Sequence, residues 1–186
     1  MRGPRLLLAA SLAAIALAAP AAAADKAIAV LKDAQGTEVG RATLTTTPSG
    51  VLISLDLTAL PPGDHAFHIH AVGKCEPPKF ESAGPHFNPD STKHGLMNPE
   101  GPHAGDMPNL HVPQDGTLKV EVLNPTVTLS AESALLDDDG SALVIHAGAD
   151  DYLTDPAGNA GDRIACGVVT VEPADAQRRS KRKSSP

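Results

Sequence analysis

Beyond residue 24 the sequence has no apolar run long enough to cross a bilayer as a helix, which excludes a helical membrane domain from that part of the chain. Helical periodicity is scarce as well, which turns the reading away from helix bundles. No segment repeats, so a solenoid is excluded. Basic residues are thin outside the last positions. The chain carries a net charge of −7, and the part before its end is more acidic than that figure suggests. A nucleic-acid-binding domain, which would show a basic face, is thereby excluded. Cysteine is limited to Cys75 and Cys166. In a reducing cytosol these read as two free thiols; in an exported protein they read as one disulfide closing a long loop.

The two ends of the chain differ from its middle. Arg2 and Arg5 precede an Ala/Leu-rich stretch, Pro20 ends it, and Ala22-Ala23-Ala24 supplies a small-residue cleavage site. This is the layout of a secretory signal peptide over residues 1–24, with Asp25 as the first mature residue. No cysteine follows the apolar stretch closely, which argues against a lipoprotein anchor. At the other end Arg178, Arg179, Lys181, Arg182 and Lys183 sit among serines, and nothing apolar follows Ala176. Such a tail over 174–186 cannot bury itself in a core. It reads either as a solvated terminus or as a segment that contacts anionic surfaces.

What is present between the ends is alternation. Val51, Ile53, Leu55 and Leu57 share one parity, as do Leu118, Val120 and Val122, the mark of strands with one buried face. Strands are expected over 28–31, 38–46, 51–57, 118–122, 127–129, 142–146 and 164–171. Turn signals separate them, such as Asp33 to Gly36, Pro48 to Gly50 and Asp137 to Gly140. Seven or eight short strands spaced in this way predict an all-β antiparallel sandwich or flattened barrel. Two stretches break the pattern: 71–110, rich in Pro, Gly and His, and 147–162, rich in Gly, Asp and Asn. Loops of that length in a compact domain are held by function or by bound ligands.

The eight histidines sort by parity. Read as one strand, 65–70 puts His65, Phe67 and Ile69 on one face and His68 and His70 on the other. Phe67 and Ile69 mark the core face, so His65 is expected to be a core histidine satisfied by backbone hydrogen bonds. His68 and His70 face away, as two ligands to one metal would. In 142–146, Leu143 and Ile145 again mark the core and leave His146 on the side of His68 and His70. The long loop adds His86, His94, His103 and Asp106. Composition and spacing leave two readings of these four: polar loop side chains, or a tetrahedral zinc set. His111 has no evident role and reads as a surface residue.

The blocks AFHIH at 66–70, SAGPHFNPDSTKHG at 82–95, GPHAGDMPNL at 101–110 and GNAGDRIACGVV at 158–169 together resemble the copper/zinc superoxide dismutases. The resemblance runs from about residue 26 to 172, and its wording is similar to that of bacterial exported members. It implies a Greek-key flattened β-barrel, an immunoglobulin-like sandwich, over 25–173 with two long functional loops. It implies one copper ion on His68, His70, His86 and His146, and one zinc ion on His86, His94, His103 and Asp106, with His86 shared as a bridging imidazolate. Asp150 matches a carboxylate that hydrogen-bonds one histidine of each set, and Cys75 and Cys166 match the family disulfide. Arg163 matches the arginine that guides the substrate anion. The implied reaction turns two superoxide anions into dioxygen and hydrogen peroxide by Cu(II)/Cu(I) cycling, with zinc structural and Arg163 and His86 in the catalytic machinery. The implied setting is antioxidant defence in the periplasm, and monomer and homodimer both stay open. Ala147 and Gly148 stand where many relatives carry Glu and Lys, leaving Lys74 and Lys79 as candidates for steering the anion.

Overall fold

The computed structural model describes residues 24–130 and 135–172; the expected signal peptide, but for its last residue Ala24, and the expected tail 174–186 lie outside the described residues. Among the described residues ten strands run β1 (Lys26–Asp33), β2 (Glu38–Thr47), β3 (Gly50–Leu57), β4 (Gly63–His65), β5 (Phe67–His70), β6 (Leu110–Val112), β7 (Leu118–Asn124), β8 (Ala142–His146), β9 (Arg163–Val168) and β10 (Thr170–Val171). All pairings are antiparallel. The main sheet has the order β5-β8-β9-β1-β2-β3-β7, with β10 added against β1, and β4 pairs with β6 as a separate ribbon. Because β8 and β9 enter between β5 and β1, the connections are of Greek-key type, and the sheet curls around its apolar face.

The alternation read in the sequence builds this face. Ala27, Ala29 and Leu31 of β1, Val51, Ile53, Leu55 and Leu57 of β3, and Phe67 and Ile69 of β5 are buried together in one core. A second, smaller core of Phe80, Ala83, Ala142, Val144 and Cys166 lies on the other face of β8, with Cys75 packed against it. β8 is therefore covered on both sides, which is why Ala142 to Ile145 is a continuous apolar run instead of an alternation. The Cys75–Cys166 disulfide joins β9 to the 71–85 segment, which contains a short 3₁₀ turn at Glu81–Ala83. The 147–162 loop is knit by Asp151, whose carboxylate accepts hydrogen bonds from Leu153, Thr154 and Asn159.

Four expectations need correction. The strand expected over 164–171 is two, β9 and β10, parted at Val169. Val127–Leu129 is not a strand: after Pro125 the chain buries Val127 and Leu129 as plugs without joining a ladder. Proline lacks the amide a ladder requires at that entry. Residues 65–70 are not one strand but β4 and β5, because the chain breaks at Ala66, whose amide donates to Gly148 and whose carbonyl accepts from His146. His111 is exposed, as expected, yet it has a role: cross-strand from Asp64 in the β4–β6 ribbon, its Nδ1 pairs with that carboxylate.

The disulfide closes a loop of sequence separation 91. Replacing both cysteines by serine is expected to lower the unfolding free energy by roughly 4 kcal/mol through the entropy returned to the unfolded chain. Denaturant titration of the two forms measures this; a loss below about 1 kcal/mol would mean that the 71–85 segment is held by its other contacts.

Candidate metal centre

β5 is an edge strand, and the long loop folds back onto its free edge. Phe87 donates its amide to the Ile69 carbonyl (2.8 Å), Ile69 to Gly105 (2.9 Å), Gly105 to Phe87 (2.8 Å) and Ala71 to Pro85 (2.9 Å). Isolated bridges thereby set His68 against Asp106 and His70 against His86. The approach is too close for a side chain at 105: a Cβ on Gly105 would lie 2.4 Å from the Ile69 carbonyl oxygen. On the other edge of β5, β8 pairs His68 with Val144 and His70 with Ala142. This register carries His146, at the end of β8, to the same side as His68 and His70.

The result is a buried cluster of imidazoles. Ring centroids of His68 and His86 lie 4.0 Å apart, His70 and His86 4.9 Å, His68 and His146 5.1 Å, and His86 and His94 5.1 Å. Two groups of four have donor atoms within 4.8 Å of one another: His68, His70, His86 and His146, and His68, His86, His94 and Asp106. His68 and His86 belong to both. His103 lies at the border of the second group, with its Nδ1 3.3 Å from Asp106 Oδ1. All the residues singled out in the sequence for the two metals thus stand in one contiguous site, and His65 stands apart from it. The ring nitrogens of His65 face the carbonyls of His146 and Pro61, each at 2.8 Å.

Each ring of the first group is oriented through one nitrogen. His68 Nε2 donates to Asp150 Oδ2 (2.8 Å), His70 Nδ1 to the Gly84 carbonyl (2.9 Å) and His146 Nδ1 to the Gly161 carbonyl (3.2 Å). The opposite nitrogens, His68 Nδ1, His70 Nε2 and His146 Nε2, are buried without a hydrogen-bond partner, and so are His86 Nε2 and His103 Nδ1. Buried orphan nitrogens are costly unless something fills them, and oriented rings with one free lone pair are what a metal ion requires. Burial holds His70 down to about 2, His146 to about 3 and His68 to about 4, so these rings are neutral near pH 7.

The second group centres on a carboxylate. Asp106 Oδ1 lies 3.0 Å from His86 Nδ1 and 3.1 Å from His94 Nδ1, and Oδ2 accepts the amides of Gly95 and His103. Burial pushes the Asp106 carboxyl up, but these hydrogen bonds outweigh it and hold it well below the usual carboxylate range. His94 is pushed down by burial and raised by its bonds to Asp106 and Asp150, with a net rise to about 9. Asp150 ties the groups together, taking His68 on Oδ2 and His94 on Oδ1 (2.9 Å).

Three contributors had not been singled out in the sequence. Asn109 clamps the Asp150 backbone, accepting its amide (2.8 Å) and donating to its carbonyl (2.9 Å). Gly158, at φ +63°, leaves room that any Cβ would take, since that atom would sit 1.9 Å from Asp150 Oδ1. The Gly84 carbonyl serves both His70 and Arg163. A lone Asn or Gly carries no such signal in one sequence, because only the closed loops bring these positions to Asp150. Arg163, half-buried and cross-strand from His146, donates Nη1 to Phe80 and Nη2 to Gly84, each at 2.7 Å.

The copper/zinc superoxide dismutase family model matches residues 38–169. Superoxide dismutase [Cu-Zn] 1 of Aquifex aeolicus is 59% identical over 138 residues, 73% of this chain and 82% of that protein. Among solved structures, a superoxide dismutase-like protein of Bacillus subtilis superposes with a TM-score of 0.74 at 43% identity, covering 77% of this chain and 97% of that one. The Cu/Zn superoxide dismutase of Brucella abortus gives 0.65 at 31% identity, covering 79% and 99%. A curled antiparallel sheet, two donor groups that share histidines and these matches lead to one statement: the chain belongs to the copper/zinc superoxide dismutase family.

Proposed function

We propose that the chain dismutates superoxide to dioxygen and hydrogen peroxide, with copper held by His68, His70, His86 and His146 and zinc by His86, His94, His103 and Asp106. The observation that carries this is the set of orphaned nitrogens, each on a ring whose position is already fixed. Four imidazole nitrogens suit Cu(II), and three nitrogens with one carboxylate oxygen suit tetrahedral zinc. Zinc bonds of 2.0–2.1 Å at tetrahedral angles put ligand atoms roughly 3.3–3.4 Å apart. The contacts of 3.0, 3.1 and 3.3 Å around Asp106 Oδ1 are close to such edges. His68 is near this set too, but its Nε2 is taken by Asp150 and its Nδ1 faces the copper group, so His103 is the better fourth donor.

Copper, when bound, supplies the one-electron chemistry by passing between Cu(II) and Cu(I). The chain supplies the rest. Arg163 is pinned by Phe80 and Gly84, which leaves its other N–H groups for a small anion next to His146 and His70. Lys79 is a weaker candidate for steering, because Glu81 lies 3.9 Å from its ammonium and both are exposed. His86 Nε2 is the atom at which the chain can hold and deliver a proton to the departing peroxide. The Asp150 carboxylate keeps His68 and His94 aligned, so that the two donor groups move as one body. The cystine and the signal-type leader support work outside the cytoplasm, in the periplasm, with the basic tail contacting anionic surfaces there.

Arg163→Ala is expected to lower kcat/KM about ten- to a hundredfold with copper content unchanged. Pulsed generation of superoxide with metal quantification checks this, and an unchanged rate would remove Arg163 from the mechanism. The His94 assignment has a proton signature. Its raised value of about 9 means that the metal-free protein carries a proton there at pH 7, stabilising the fold below about pH 6.5 and losing that contribution as pH rises through 9. Zinc has to displace this proton, so its affinity should rise about tenfold per pH unit toward pH 9. Calorimetry in buffers of different ionisation enthalpy should register about one proton released per zinc. No release, or no pH slope, contradicts the assignment. For the tail, deletion of 174–186 should leave dismutation intact but abolish salt-reversible retention on anionic vesicles; equal retention of both forms contradicts surface contact.

A further inference from the structure

A pocket of about 590 Å³ is lined by His86, His103, Lys93, Asp137, Asp139 and Asp155. Its two histidines are deeply buried, each 6% exposed, whereas Asp137 and Asp139 are exposed. The pocket therefore descends from acidic residues at solvent to imidazoles of the metal centre. Lys93 does not offset this charge, because it pairs with Asp155 at 3.5 Å. Neither Asp137 nor Asp139 has a lysine or arginine nitrogen within ion-pairing distance among the described residues. Both are held in place: Asp137 accepts the Gly140 amide at 3.0 Å, and the Asp139 carbonyl accepts the Gly73 amide at 2.6 Å.

His103 faces both ways. Its Nδ1, without a hydrogen-bond partner, lies 3.3 Å from Asp106 Oδ1, and its Nε2 lies 3.9 Å from Asp155 Oδ1. Asp155 also accepts the His94 amide at 2.8 Å, which fastens the outer wall of the pocket to the zinc group. The pocket on the Arg163 side is distinct: it shares no lining residue with this one and sets the Arg163 guanidinium and Lys79 among Asp33, Glu81 and Asp162.

We propose that the Asp137/Asp139 pocket is the entry port for zinc, separate from the mouth used by superoxide. A divalent cation concentrates at the two unneutralised carboxylates, meets His103 first, and passes inward to Asp106, His94 and His86. This inference rests on the zinc assignment above. It adds that the loop 135–141, which holds no zinc ligand, governs how fast the site fills. Two fixed negative charges at a pocket mouth act on association, and their effect is screened within about 10 Å at 0.1 M salt.

The test uses the full chain stripped of metal, mixed with zinc ions in a stopped-flow instrument, with a zinc-sensitive dye reporting the free ion. D137N/D139N is expected to slow zinc association about three- to tenfold at low salt and to flatten its salt dependence. Zinc release into a chelator and Cu(II) association should be unchanged. Asparagine keeps the size of both side chains and the Gly140 contact, and circular dichroism with D139N alone guards against misfolding. Unchanged zinc association, or equal slowing of zinc and copper, overturns the port. Absence of stoichiometric zinc at equilibrium in the unsubstituted protein would instead overturn the zinc assignment, so the two failures are distinguishable.

Discussion

The site depends on the free edge of β5. A four-residue strand with a partner on one side only would leave its outer amides and carbonyls exposed to the neighbouring loop. Here two arms of that loop, 85–87 and 105–106, satisfy that edge through backbone bonds among Ile69, Phe87 and Gly105. Those bonds also set His86 and Asp106 opposite His70 and His68. The same hydrogen bonds that complete the sheet therefore assemble the metal-binding groups, and no rigid helix is needed to present them.

Gathering so many imidazoles and two carboxylates in a buried space is unfavourable for a metal-free chain. Part of that cost is offset internally: Asp106 and Asp150 each accept from several N–H groups, and one nitrogen of His68, His70 and His146 is bonded. The remaining orphan nitrogens are not satisfied within the chain. A metal ion bound there would relieve them, coupling occupancy to stability. The disulfide acts on the other side of the cluster. It tethers the segment carrying Phe80 and Gly84, whose carbonyls hold Arg163, so the covalent link and the cation belong to one substructure.

Much of this was legible from residue types and parity. The opposite phasing of Phe67 and Ile69 against His68 and His70 separates core from site, and Leu143 and Ile145 place His146 in the same way. His65 was recognisable as a core histidine because it shares the parity of Phe67. The loop residues were less legible: irregular spacing alone left His86, His94, His103 and Asp106 ambiguous until the motif resemblance was added. Val127–Leu129 misled because apolar alternation registers burial, not hydrogen-bond partners. Asn109, Gly158 and the Gly84 carbonyl could not be read at all. Their roles exist only where two loops distant in sequence close on each other, and a main-chain oxygen has no letter in a sequence.

The central claim is that His86 joins two different ions, one on each ring nitrogen. Anomalous diffraction from crystals of the metal-loaded protein, collected at the copper and zinc absorption edges, measures this directly. The account predicts copper at His86 Nε2 among His68, His70 and His146, and zinc at His86 Nδ1 among His94, His103 and Asp106. A single ion, or two ions that do not share His86, would contradict it.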